Sequence, residues 1–139
     1  GLDCTTAVHI CYGYGIEANL QWKATLGEVW DQYEAILPAL AGSNIDQVSL
    51  EFAGSRVPME VIKLLDGKKD VLVGAIDVTT LTAEAPEEVA GVIRHAMEFT
   101  SPERIFPCTN CGMVPLPREV SQGKLKALGA GAALVRAEL

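Results

Sequence analysis

Four apolar runs in this chain each end in a side chain that can bind a metal or carry a charge. Residues 6–11 end in His9-x-Cys11, 47–52 contain Glu51, 71–76 run into Asp77, and 105–108 lead to Cys111. The runs at 47–52 and 71–76 alternate too weakly for half-exposed strands and read as strands covered on both faces, as in a parallel sheet. If all four are parallel strands, their ends share one rim, and parallel α/β sheets carry their chemistry on that rim. Two thiols, an imidazole and a carboxylate converging there form a donor set suited to zinc.

Between the runs the pattern turns helical. Leu26, Val29, Trp30, Tyr33, Ile36, Leu37 and Leu40 recur at steps of three and four and predict one amphipathic helix. Pro38 should distort its last turn, and Gly42-Ser43-Asn44 should end it. Val57-Pro58 opens a short helix over Val61, Ile62, Leu64 and Leu65 that stops at Gly67. Pro86-Glu87-Glu88 opens another, with Val89, Ile93, Ala96 and Met97 inward and acids set favourably against the helix dipole. The tail, 118–139, carries Val120, Leu125, Leu128, Ala132 and Val135 and predicts a last helix weakened by three glycines.

The order β-α-β-α-β-α-β-α leaves two architectures, an open doubly wound sheet or part of an eightfold barrel. A whole barrel typically takes roughly 250 residues, and this chain has 139. Gly13-Tyr14-Gly15 lacks the third glycine of a phosphate-binding loop. The expectation is therefore a single α/β domain over 1–139, half of a (β/α)8 TIM-type barrel. Missing sequence or a partner chain would then complete it.

Charge narrows the partners. A net charge of −7 argues against nucleic acid and against an anionic membrane surface. No apolar stretch approaches the ~18–20 residues of a membrane span, and no leader pattern opens the chain. Four cysteines among so many helical signals do not suit a secreted disulfide scaffold, so the expected location is cytoplasmic. With Gly at position 1, the chain reads as a processed product or a piece of a longer protein.

Each candidate ligand also has a plain reading. His9 and Cys11 point to one side of a strand, which serves metal binding or core packing equally. Glu51 needs a cation or hydrogen-bond donors if buried, and nothing if its strand end is solvated. Cys108-Thr109-Asn110-Cys111 suits zinc or redox chemistry, although Gly112, Pro115 and Pro117 favour a loop over the helix that a redox pair opens. A four-cysteine knot through Cys4 is disfavoured by its spacing. His95 reads as surface, and Trp22, Trp30 and Met97 as packing.

Taken in order, His9-Ile10-Cys11-Tyr12, Ser49-Leu50-Glu51, Gly74-x-x-Asp77 and Asn110-Cys111-Gly112 resemble cobalamin-independent methionine synthase. The likeness spans nearly the whole chain and places it as the last four β-α units of that family's catalytic barrel. The resemblance implies zinc held by His9, Cys11, Glu51 and Cys111, with Cys108 outside the set. It also implies a cytoplasmic methyltransferase of methionine biosynthesis, moving a methyl group from 5-methyltetrahydrofolate to homocysteine. The segment 12–15 and a longer stretch around 17–26 suggest a short branch that keeps only the catalytic barrel.

One position departs from the pattern. The family carries Asp-x-His after the third of these strands, and here Asp77-Val78-Thr79 puts Thr79 where the His would stand. Asp77 and Thr79 are thus candidate catalytic positions, yet a threonine hydroxyl is no acid near neutral pH. Two alternatives remain open: zinc-dependent alkyl transfer with another thiol or donor, corrinoid or partner-delivered, and a non-catalytic zinc-binding module. Residues gripping the donor or the substrate's amino and carboxylate groups are not identifiable in this chain.

Overall fold

The computed structural model describes residues 3–65 and 67–139. Four parallel strands, β1 (Ala7–Ile10), β2 (Gln47–Glu51), β3 (Asp70–Ile76) and β4 (Ile105–Thr109), pair in chain order. A doubly wound sheet reverses its strand order at a switch point, whereas consecutive order is that of a barrel wall. Four consecutive units of a barrel wall are what this chain builds.

Register carries the rim. His9 lies opposite Ser49, Glu51 opposite Gly74, and Gly74 opposite Cys108. One sheet face, with Val48, Leu50, Val71 and Val73, is fully buried under helical segments that include Leu37, Ile62 and Leu65. The opposite face is the barrel interior, and there Phe106 remains 44% exposed and His9 is exposed. A bulge between Gly74 and Ile76 turns the end of β3 against β4.

Helix α3 (Pro86–Met97) and α4 (Arg118–Arg136) cover the end of the sheet through Ala75, Ile76, Val89 and Ile93. The Glu88 carboxylate accepts a bond from the Ala85 N–H at 2.6 Å and closes the first turn of α3. The glycines expected to weaken α4 include Gly131, where a Cβ would press into Val89 and Pro86. That glycine lets the two helices approach closely. Among the described residues no helix is long and apolar enough to cross a membrane.

The connection from β1 to β2 differs from the expected single helix. It contains α1 (Glu17–Lys23), a 3-10 turn (Gln32–Ala35) and α2 (Leu37–Ala41). Gly27 sits at φ +81°, a left-handed conformation that breaks any helix through it, and Val29 and Ile36 turn outward at 56% and 42% exposure. Pro38 falls in the first turn of α2, where its missing N–H costs nothing, and Gly42 caps the end as expected. The segment Met59–Leu65 is a 3-10 helix, with Gly67 beyond it at φ +61°.

Candidate metal centre

The end of β1 sends His9 and Cys11 to the same side, and Cys111 reaches them from the loop after β4. The ligand atoms of these three residues lie within 4.8 Å of one another. Cys11 donates its S–H toward the Cys111 sulfur at 3.4 Å, and the Gly13 N–H donates to the Cys11 sulfur, also at 3.4 Å. Ser49 Oγ, on the neighbouring strand, stands 2.9 Å from His9 Nδ1 and fixes the ring.

Glu51 is 4% exposed and not among those three close donors. Its Oε2 accepts a bond from the Tyr12 N–H at 2.9 Å, one residue beyond Cys11. Burial raises its pKa, against the Tyr12 bond, which lowers it. The carboxylate lies near enough to Cys11 to disfavour the thiolate there, so desolvation, Cys111 and Glu51 together push Cys11 up to about 11. Though His9 is exposed overall, desolvation by its neighbours lowers its pKa, favouring the neutral imidazole that metals bind. A carboxyl and a thiol that resist further negative charge, beside an imidazole held neutral, suit a bound cation.

The loop that carries Cys111 is set by Asn110. Asn110 Oδ1 accepts from the Phe52 N–H at 3.1 Å, its Nδ2 donates to Ala53 O at 2.6 Å, and its N–H donates to Ile76 O at 3.0 Å. One buried asparagine, through its side chain and its backbone N–H, therefore ties together the ends of β2, β3 and β4. It fits because Gly74 has no side chain: a Cβ there would run into Asn110 and lie 2.7 Å from Leu50 O.

The other cysteines stand apart. Cys108 lies 3.8 Å from Ser49 Oγ, with desolvation pushing its thiol up to about 11, and Cys4 is exposed. No four-cysteine knot is assembled among the described residues. Asp77 and Thr79 occupy the next loop of the rim, where Thr79 donates to Asp77 Oδ1 from its N–H at 2.8 Å and its hydroxyl at 2.7 Å. His95 is on the surface against Phe99, and Trp22, though 46% exposed, stacks on Tyr12.

Sequence reasoning passed over three buried lysines, of which Lys69 donates to Ser43 O at 2.7 Å. Lys124 on α4 is fully buried, donating to Thr80 Oγ1, Thr82 O and both oxygens of Glu84 at 2.7–3.2 Å. Glu84 Oε1 also accepts from the Asp77 N–H at 2.9 Å, so an ion pair with a fully buried lysine supports the Asp77–Thr79 loop. Lys23, 8% exposed, donates to Gly13 O at 3.0 Å and lies 5.5 Å from the Trp30 ring centroid. In sequence Lys23 stands between Trp22 and Ala24 and Lys124 between Gly123 and Leu125, with no partner for either in view.

Comparison with known proteins fits this geometry. The chain is 29% identical over 140 residues to a methionine synthase of Saccharolobus islandicus (strain L.S.2.15 / Lassen #1), across 100% of this chain and 37% of that protein. The methionine synthase of Sulfurisphaera tokodaii is also 29% identical, with 36% of its length covered. A solved B12-independent methionine synthase from Shewanella sp. W3-18-1, in complex with selenomethionine, superposes with a TM-score of 0.95 at 57% identity. The match covers 99% of this chain and 40% of that one, so the chain spans well under half the length of these relatives and corresponds to half of a TIM barrel. The family model described as cobalamin-independent synthase, catalytic domain, matches residues 23–133, and the chain belongs to that family.

Proposed function

We propose that this chain forms the metal-holding half of a cytoplasmic methionine synthase barrel, and that the protein containing it transfers a methyl group to the thiol of homocysteine. The observation that carries this reading is the convergence of His9, Cys11 and Cys111 within 4.8 Å, in a chain of this family. The complex of the 57%-identical Shewanella protein with selenomethionine, an analogue of the product, supports it.

An imidazole and two thiols fit zinc, with Glu51 as the fourth donor. Zinc bound there supplies a Lewis acid that keeps a ligating thiol deprotonated near neutral pH. The chain's own residues do the rest. Ser49 holds His9 by Nδ1 and leaves Nε2 for the metal; Asn110 sets the Cys111 loop; Glu51, buried beside Cys11, keeps the site electron-rich. Methyl transfer to sulfur is an in-line displacement, so this rigid placement of the nucleophile is worth as much as its activation. Groups gripping the amino acid's amino and carboxylate ends come from barrel strands outside this chain.

The methyl donor is 5-methyltetrahydrofolate on this reading, with Asp77 and Thr79 beside it. The Thr79 hydroxyl is committed to Asp77 and supplies no acid for a leaving nitrogen. That observation favours, as a second reading, a donor that needs no such acid, such as a methyl-corrinoid.

Methionine formation by the full-length protein, with homocysteine compared against coenzyme M, tests the acceptor. Metal analysis of wild type beside His9→Ala and Cys111→Ala tests the site. One zinc per wild-type chain, lost in both variants together with methionine formation, is the expected result; methionine formation by metal-free protein would refute it.

A further inference from the structure

The turn that follows β1 reaches both ligand sulfurs. Gly13 stands at φ +82°, a left-handed conformation, and a Cβ there would press into the Asn19 amide. The buried Lys23 ammonium pins the turn by donating to Gly13 O at 3.0 Å. With the chain folded back in this way, the Gly13 N–H donates to the Cys11 sulfur at 3.4 Å. The next residue, Tyr14, crosses to the loop after β4. Its hydroxyl lies 3.1 Å from where a Cβ on Gly112 would stand, one residue beyond Cys111. There the phenol hydrogen-bonds the Cys111 side chain, and that bond, with the charge of a Cys111 thiolate, raises the Tyr14 pKa and keeps its proton in place.

Two consecutive residues thus place one donor on each ligand sulfur: a backbone N–H on Cys11 and a phenol O–H on Cys111. The placement matters because the protein's own thiolates and an incoming substrate thiolate are chemically alike, yet only the substrate is to be methylated. A thiolate attacks through a lone pair, and a hydrogen bond draws on that pair, so a sulfur carrying a donor is the poorer nucleophile. Both donors of the turn are committed to the protein's sulfurs.

We propose that the turn 13–14 protects the ligand cysteines from self-methylation, with Tyr14 the specificity-determining residue for Cys111. The inference rests on the methyl-transfer reading and deepens it by naming what directs the methyl group to the substrate. In the productive step the substrate sulfur forms a bond to the methyl carbon, and the bond from that carbon to the donor breaks with its electron pair leaving on the donor. The same displacement at Cys111 would convert a thiolate into an uncharged thioether, a weaker ligand, and disable the site. Tyr14 acts through Cys111 alone and keeps its proton throughout, so it is a positioning residue.

Methyl iodide, given to the zinc-loaded, full-length protein without homocysteine, tests this. The attacking sulfur gains the methyl group and iodide leaves with the bonding pair. Peptide mass spectrometry follows the added methyl, with fragment ions separating Cys111 from Cys108 and Met113. Tyr14→Phe removes only the hydroxyl and should speed Cys111 methylation about tenfold, the scale on which groups bonded to metal ligands act. Cys11, still under the Gly13 N–H, should react at its wild-type rate, and zinc content should match wild type. An unchanged Cys111 rate in Tyr14→Phe, equal acceleration at Cys11, or loss of zinc from that variant would overturn the proposal. Methyl iodide replaces both the natural donor and homocysteine, so failure here is distinct from failure of wild type to form methionine.

Discussion

The sulfurs of Cys11 and Cys111 lie 3.4 Å apart although 100 positions separate them in the chain. β1 and β4 are the two edges of the sheet, so the loop after β4 reaches back across the rim to the end of β1, and Asn110 fixes its approach. A disulfide needs S–S of about 2.05 Å, so a small closure would join them. We expect metal-stripped protein treated with hydrogen peroxide to form a Cys11–Cys111 disulfide, two thiols giving up two hydrogens as peroxide is reduced to water. Zinc-loaded protein should resist. Peptide mass spectrometry reads the crosslink, and its absence from stripped protein would count against the juxtaposition.

The Glu51 carboxylate is bonded to the Tyr12 N–H and lies apart from the three close donors. Glu51→Gln keeps the shape and removes the charge. If Glu51 ligates or tunes the metal, zinc affinity in a competition titration with a chelator should fall about 10–100-fold. Unchanged affinity would make Glu51 a purely structural group.

Gly74 should tolerate no side chain. Gly74→Ala pushes into Asn110 and Leu50 O, and overpacking of this kind costs about 1–3 kcal/mol. The denaturation midpoint should drop, and zinc affinity should drop with it, because Asn110 holds the Cys111 loop. A stability loss with zinc affinity intact would show that Asn110 does not govern the loop.

Much of this was legible in the sequence. The apolar runs located all four strands, because a strand covered on both faces has to be apolar throughout, and their ends marked the rim. The β1–β2 connection was not legible: Leu26 to Leu40 keep a helical spacing, but Gly27 at φ +81° breaks the helix and Val29 and Ile36 face solvent. Lys23 and Lys124 escaped notice for another reason. A buried lysine is recognised by its partners, and Gly13, Glu84 and Thr82 are close only after folding.

The Lys124–Glu84 pair gives a stability test. Lys124→Met leaves Glu84, whose side chain is only 15% exposed, without its cation and should cost about 3 kcal/mol in urea denaturation. The double variant Lys124→Met/Glu84→Gln removes the stranded charge and should recover a large part of that loss. Equal stability of single and double variants would mean that the pair does not carry the contact between α4 and the Asp77 loop.

Zinc K-edge X-ray absorption on the full-length protein tests the central claim most directly. The account predicts two sulfur scatterers in the resting protein, one in Cys111→Ser, and an added sulfur on exposure to homocysteine. A wild-type spectrum with only nitrogen and oxygen neighbours, or a sulfur count indifferent to Cys111, would contradict it.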